Sequence, residues 1–96
     1  MRETKVEKHL RICVERRGGT CEKFVSPNRV GVPDRQVNDR PGHIDFVETK
    51  RPKAEGGKLK SWQARDHARR RARGFRVFVL DTIEKVDDYM LNWYGK

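Results

Sequence analysis

The chain has 96 residues, with 23 Lys and Arg against 14 Asp and Glu, and a formal net charge of +9. A length in this range argues for a single domain (1–96) with a modest core, since so short a chain buries only about 60% of its unfolded surface. No apolar run reaches the roughly 20 residues of a membrane span, and the positive excess points to a polyanion, nucleic acid first of all. Although 39% of residues are charged, acids and bases alternate with apolar clusters, which argues for a folded domain over a disordered tail.

Residues 3 to 17 read as a helix, with Val6, Leu10, Cys13 and Val14 on one apolar stripe and Gly18-Gly19 as its stop. Cys21 to Val25 is a strand, and the segment Ser26 to Pro33, with two prolines and a glycine, is loop. Asp34 to Asn38 and Ile44 to Lys50 form a hairpin around the turn Arg40-Pro41-Gly42-His43. Residues 51 to 60 form an exposed loop, and Ser61 caps a second helix that ends at Gly74. On that helix Ala64, Ala68 and Phe75 are expected against the sheet. Val77 to Leu80 is a buried strand. Asp81, with Glu84 three residues on, opens a third helix that buries Ile83, Val86, Met90 and Trp93. The order α-β-β-β-α-β-α implies an α/β fold with a mixed four-stranded sheet flanked by helices.

The spacing of Cys13 and Cys21 permits a disulfide. No signal peptide opens the sequence, so a reducing cytoplasm is expected, where both cysteines are free packing thiols. With no second Cys pair and scattered His9, His43 and His67, a structural zinc site is not expected.

The chemistry concentrates on the hairpin. Side chains two apart on a strand share a face, so Glu48 and Lys50 project together. The turn at 40–43 brings Asp34 back beside them. Two carboxylates supply hard oxygen ligands for Mg²⁺ or Mn²⁺, with Thr49 adding its backbone carbonyl alone. A bound metal lowers the pKa of an attacking water at a phosphodiester, and a lysine stabilises the developing charge. Taken singly, Asp34 after Pro33 reads as a turn residue, and Glu48 and Lys50 as surface partners.

The run from Lys23 to Lys50 (K-F-V-S-P-N-R-V-G-V-P-D-R, then F-V-E-T-K) resembles the virus-type replication-repair nuclease (VRR-NUC) domain of the PD-(D/E)XK superfamily. The likeness extends to V-E-K-H-L in the first helix, the Gly18-Gly19 turn, Leu59-Lys60-Ser61-Trp62-Gln63 and Gly74-Phe75-Arg76-Val77. It implies a restriction-endonuclease-like core in which Asp34, Glu48 and the Thr49 carbonyl are metal ligands and Lys50 is the catalytic lysine. Glu7 matches the first-helix acid that approaches the metal, with Glu3 one turn away as its rival. Gln63 matches the glutamine that supports the site. The family often has Ser and Pro after the preceding leucine, where this sequence has Lys60 and Ser61.

The resemblance further implies branched DNA, such as a four-way junction, and a homodimer to cut it symmetrically, in a bacterial or phage-infected host cytoplasm. Tyr89, Trp93 and Tyr94 mark the third helix as the dimer surface. Expected DNA contacts are Lys23, Ser26, Arg29 and Arg35 around Asp34, and Arg51, Lys53, Lys58 and Lys60 in the following loop. Arg65, Arg69 and Arg73, with Arg70 and Arg71, complete them on the second helix. His67, one turn beyond Gln63, is placed at the edge of the site. The competing readings are a nucleic-acid-binding module without catalysis and a nuclease acting on RNA or plain duplex ends.

Overall fold

The computed structural model describes residues 3–26, 31–50 and 58–94, the last by its backbone. Its elements are α1 (Lys5–Arg16), β1 (Thr20–Lys23), β2 (Arg35–Arg40), β3 (His43–Thr49), α2 (Ser61–Ala72), β4 (Arg76–Leu80) and α3 (Ile83–Tyr94). The sheet runs β1-β2-β3-β4, antiparallel across the first two pairs and parallel between β3 and β4. This is the expected mixed sheet, its parallel pair joined through α2. Among the described residues, no helix is long and apolar enough to cross a membrane.

Gly42 holds φ +78 in the β2–β3 turn, the positive value that the third position of a Pro-Gly type II turn requires. The turn brings the start of β2 alongside the end of β3, with Arg35 opposite Val47.

Along β3 every residue from Asp45 to Thr49 is buried, because helices cover both faces. Val47 joins Val37, Leu80 and the α1 stripe of Val6, Leu10 and Val14 in the core, together with Val86, Tyr89 and Met90 of α3. The alternate face, carrying Phe46 and Glu48, meets α2: Gln63 reaches Glu48, and Arg70 lies over the Phe46 ring.

The second helix buries a different stripe from the expected one. Ala64, Ala68 and Phe75 are exposed, whereas Asp66 and His67 are buried and Gln63 and Arg70 half-buried. Positions 63, 66, 67 and 70 share a helical face, so α2 lays a polar stripe over the sheet. Asp66 is satisfied by Arg70 Nε at 2.8 Å, and the Arg70 guanidinium lies over the paired rings of Phe24 and Phe46.

Both later helices begin one residue off the expected cap. Lys60, not Ser61, is the N-cap of α2. The Thr82 hydroxyl, not Asp81, accepts the Lys85 backbone N–H at the start of α3. Ile83 and Trp93, expected inside, are exposed at 37% and 40%.

Both cysteines are free, as the sequence suggests. Burial pushes the Cys21 thiol up to about 11, and burial with the Asp87 charge raises that of half-buried Cys13. Alkylation near pH 8 is therefore expected to modify Cys13 slowly and Cys21 only on unfolding, as the thiolate is the reactive form. Mass-spectrometric mapping with equal labelling of both would contradict this burial.

Candidate active site

Asp34 stands directly before β2, behind the buried ring of Pro33. Its own carbonyl accepts the Phe24 N–H at 2.8 Å, which closes the loop and fixes its backbone. On the neighbouring strand, the Thr49 backbone N–H and hydroxyl both donate to Asp34 Oδ2, at 3.1 and 3.2 Å. The Thr49 side chain, expected to add nothing beyond its backbone carbonyl, thus orients the carboxylate.

Glu48 is 2% exposed. Its Oε2 accepts Gln63 Nε2 at 3.2 Å and lies 3.4 Å from Lys50 Nζ. Gln63 is itself held, since its Oε1 accepts the Lys60 backbone N–H at 2.9 Å. This contact directs the amide nitrogen to Glu48, although Lys60 and Ser61, at the helix start, differ from the family pattern. Lys50 is fixed by its backbone N–H donating to Leu80 at 3.0 Å. Among the described residues, Glu48 Oε1 has no hydrogen-bond partner.

The Asp34 carboxyl is raised above the ordinary carboxylate range, first by burial and then by the Glu48 charge. The Thr49 hydrogen bonds oppose the rise, and Glu7 adds to it. Two carboxylates thus share one poorly solvated neighbourhood, which a divalent cation would relieve. A raised carboxyl favours the folded state while protonated, and that advantage is lost as pH rises through the folded value. At neutral pH, Asp34→Asn is therefore expected to raise the melting temperature of the metal-free protein. A fall would mean that contacts to the charged form outweigh the crowding.

The acids of α1 are differently engaged. Glu7 is 4% exposed and pairs with Arg35 Nε at 2.8 Å and Lys23 Nζ at 3.0 Å. Glu3, its rival, pairs with Arg35 at 2.7 Å and Arg11 at 2.8 Å. Glu7 acts on Asp34 through its charge, while its carboxylate is compensated by cations. Arg35 is a correction: expected on DNA, it is buried under α1, with Nη1 also donating to the Cys21 carbonyl at 2.9 Å. Position 35 puts it on the core face of β2 with Val37, where a charge is tolerated only because two acids meet it.

His67 reaches further in than its expected place at the rim. It is fully buried, its Nε2 is 3.8 Å from Glu48 Oε1, and neither ring nitrogen has a hydrogen-bond partner among the described residues. Its four-residue spacing from Gln63 was the available signal.

Among the proposed DNA contacts, Arg65, Arg69 and Arg73 are exposed along α2, and Lys58 and Lys60 are exposed before it. Arg69 and Arg73 line a groove with Asp66, Arg70 and Phe75. Arg70 and Arg71 are engaged within the fold, Arg70 as above and Arg71 by donating to the Val77 carbonyl at 2.7 Å. Lys23 is half-exposed beside Glu7, and Ser26 is half-buried. Arg29, Arg51 and Lys53 lie outside the described residues.

Gly31, at φ +85, ties the loop before Asp34 to α2, where a Cβ would meet the Trp62 carbonyl oxygen at 2.7 Å. Gly31→Ala is expected to cost at least ~1 kcal/mol through the disfavoured backbone alone, with lost cleavage as the Asp34 loop shifts. Chemical denaturation and a cleavage assay check both, and an unchanged protein would mean that the close approach is dispensable.

No profile of a known protein family matches the chain. A phage protein described as "Putative nuclease p44", from Acyrthosiphon pisum secondary endosymbiont phage 1, is 50% identical over 82 residues, 85% of each chain. A solved structure described as a VRR_NUC domain superposes with a TM-score of 0.82 at 36% identity, covering 98% of this chain and 97% of its own. The fold and these likenesses define a nuclease domain of the PD-(D/E)XK type, a hydrolase acting on nucleic acids. Within that class, the chain belongs to the VRR-NUC family.

Proposed function

We propose that the chain is a divalent-metal-dependent DNA endonuclease whose cation is held by Asp34, Glu48 and the Thr49 carbonyl. The observation that carries this reading is Glu48 Oε1, a buried carboxylate oxygen without a hydrogen-bond partner among the described residues, beside an Asp34 that burial and the Glu48 charge disfavour as an anion. Such a pair suits Mg²⁺ or Mn²⁺, which take carboxylate oxygens and retain several waters. When bound, the ion supplies charge neutralisation at the phosphate and a more acidic water.

The chain's own residues have separate tasks. Thr49 orients Asp34, and Gln63 turns Glu48. Lys50, held beside Glu48, presents an ammonium group to the phosphate oxygen that gains charge. Glu7 acts on Asp34 through its charge, its ion pairs to Arg35 and Lys23 fixing α1 against β2 and β1.

Arg65, Arg69, Arg73, Lys58 and Lys60 contact the phosphate backbone, together with Lys23, Ser26, Arg29, Arg51 and Lys53. Their charge makes binding steeply salt-dependent and indifferent to base sequence. Branched DNA, such as a four-way junction, is the proposed substrate, and a homodimer supplies two cuts. Trp93, 40% exposed on α3, supports that dimer face. Tyr89 leaves it, because it is buried and donates to Asp45. The side chain of Tyr94 is outside the described residues. The kinship with a phage protein supports a bacterial or phage-infected host cytoplasm.

The test is incubation with four-way junction and linear duplex DNA in Mg²⁺, Mn²⁺ and EDTA. Cleavage of the junction with either metal and none in EDTA supports the reading. Binding without cleavage would leave a non-catalytic module, and preferential cutting of RNA or plain duplex would overturn the substrate.

A further inference from the structure

Among the described residues, His9, Cys13 and Asp87 form a group whose ligand atoms all lie within 4.8 Å of one another. His9 and Cys13 are one turn apart on α1, and Asp87 comes from α3. His9 Nε2 is the shared centre, 2.8 Å from Asp87 Oδ1 and 3.6 Å from Cys13 Sγ. We propose that these three side chains form a second metal site, for a borderline cation of the zinc class, which cross-links α1 to α3.

The two edges that meet at His9 suit that ion, and the Cys13–Asp87 edge is within 4.8 Å. In a tetrahedral zinc site with Zn–N near 2.05 Å and Zn–S near 2.3 Å, the N···S edge is about 3.6 Å. The N···O edge would be about 3.4 Å, so Asp87 must withdraw by roughly half an ångström. Its side chain is 60% exposed and free to turn. A groove lined by Cys13, Arg16, Arg17, Asp87, Met90 and Leu91 gives access from solvent and room for a water as fourth ligand. A thiolate and an imidazole select zinc-class cations over the hard Mg²⁺ of the nuclease centre. His9 is offset by two residues from Glu7, so the two do not share a face of α1.

Burial and the Asp87 charge hold the Cys13 thiol above its ordinary value, so the metal-free protein keeps that proton and releases it to solvent when the Zn–S bond forms. For a small core, a link between two terminal helices adds stability that packing alone supplies sparingly. The sequence hid the site because the i, i+4 pair on α1 lacks its third ligand until α3, 78 residues from His9, packs beside it.

The test is Co²⁺ titration of the chelator-treated, tag-free chain, with Zn²⁺ as competitor. The expected result is a thiolate-to-cobalt charge-transfer band at one equivalent, abolished by Zn²⁺. Cys13→Ser removes the band, and Asp87→Asn weakens binding by more than ~10-fold. Asp34→Ala, which disables the proposed nuclease centre, leaves the band unchanged, so the two sites fail independently. No charge-transfer band in the wild-type chain, or a band that survives in Cys13→Ser, would overturn the proposal. If circular dichroism shows Cys13→Ser unfolded, the Zn²⁺-induced rise in melting temperature decides. It is expected in the wild-type and Asp34→Ala chains and absent in Asp87→Asn, and its persistence in Asp87→Asn overturns the site.

Discussion

Lys50→Ala is expected to lower the cleavage rate by on the order of 10²–10³-fold, with little loss of Mn²⁺ or DNA binding. The ammonium lies 3.4 Å from Glu48 Oε2 and is only 18% exposed, so its orientation is set by β3 and by the backbone hydrogen bond to Leu80. It has three donors, of which Glu48 engages one, leaving others for a phosphate oxygen or the attacking water. Because that charge develops during reaction, the loss falls on the chemical step more than on affinity. Removing a cation also leaves Asp34 and Glu48 more attractive to a divalent ion. Single-turnover cleavage at saturating enzyme, with Mn²⁺ affinity by calorimetry and DNA affinity in EDTA, separates these effects. A variant that unfolds, or loses metal binding in parallel with rate, would show that Lys50 is structural.

Asp45→Ala is expected to cost ~3–5 kcal/mol of stability, the range for breaking a buried ion pair by removing one partner. Asp45 is fully buried and accepts from Arg76 Nε at 2.7 Å, Arg76 Nη2 at 2.9 Å and the Tyr89 hydroxyl at 2.7 Å, with His43 Nε2 at 2.9 Å. One carboxylate thus joins β3, β4, α3 and the hairpin turn. Without it, the buried Tyr89 hydroxyl no longer donates to Asp45 Oδ2. Arg76 stays in place through its stacking at 3.8 Å from the Trp93 ring centre, and so retains a poorly compensated charge. At about 4–8 °C per kcal/mol for a domain of this size, the melting temperature falls by at least ~12 °C. Asp45→Asn, which retains an acceptor for Tyr89, is expected to lose less. Denaturant unfolding of both variants checks the order, and a loss below ~1 kcal/mol for Asp45→Ala would mean that the cluster adds little.

The hairpin and its acids were legible because their signals are local. Pro41-Gly42 sets the turn, the two-residue period sets the face of Glu48 and Lys50, and Pro33 marks the strand start. The α1 stripe and the buried Val77 and Leu80 were equally plain. Arg35 and Tyr89 were misjudged because a charge or a phenol reads as surface until its buried partners, Glu7 and Asp45, are brought in from other elements. The alanines of α2 suggested a face that packing did not choose. The polar stripe at Gln63, Asp66, His67 and Arg70 lies inward because Glu48, Phe24 and Phe46 give each of its contacting members something to meet. That stripe is a signal the sequence carries, since a helix that buries polar groups does so where another group requires them. His67 against Glu48 is the instance nearest the chemistry.

The metal assignment is tested by the anomalous scattering of Mn²⁺ bound to the crystalline protein. A peak is expected within ligand distance of both Asp34 and Glu48, lost in Asp34→Ala. A chain that cleaves DNA in Mn²⁺ yet shows its ion elsewhere, or bound to neither carboxylate, would contradict it.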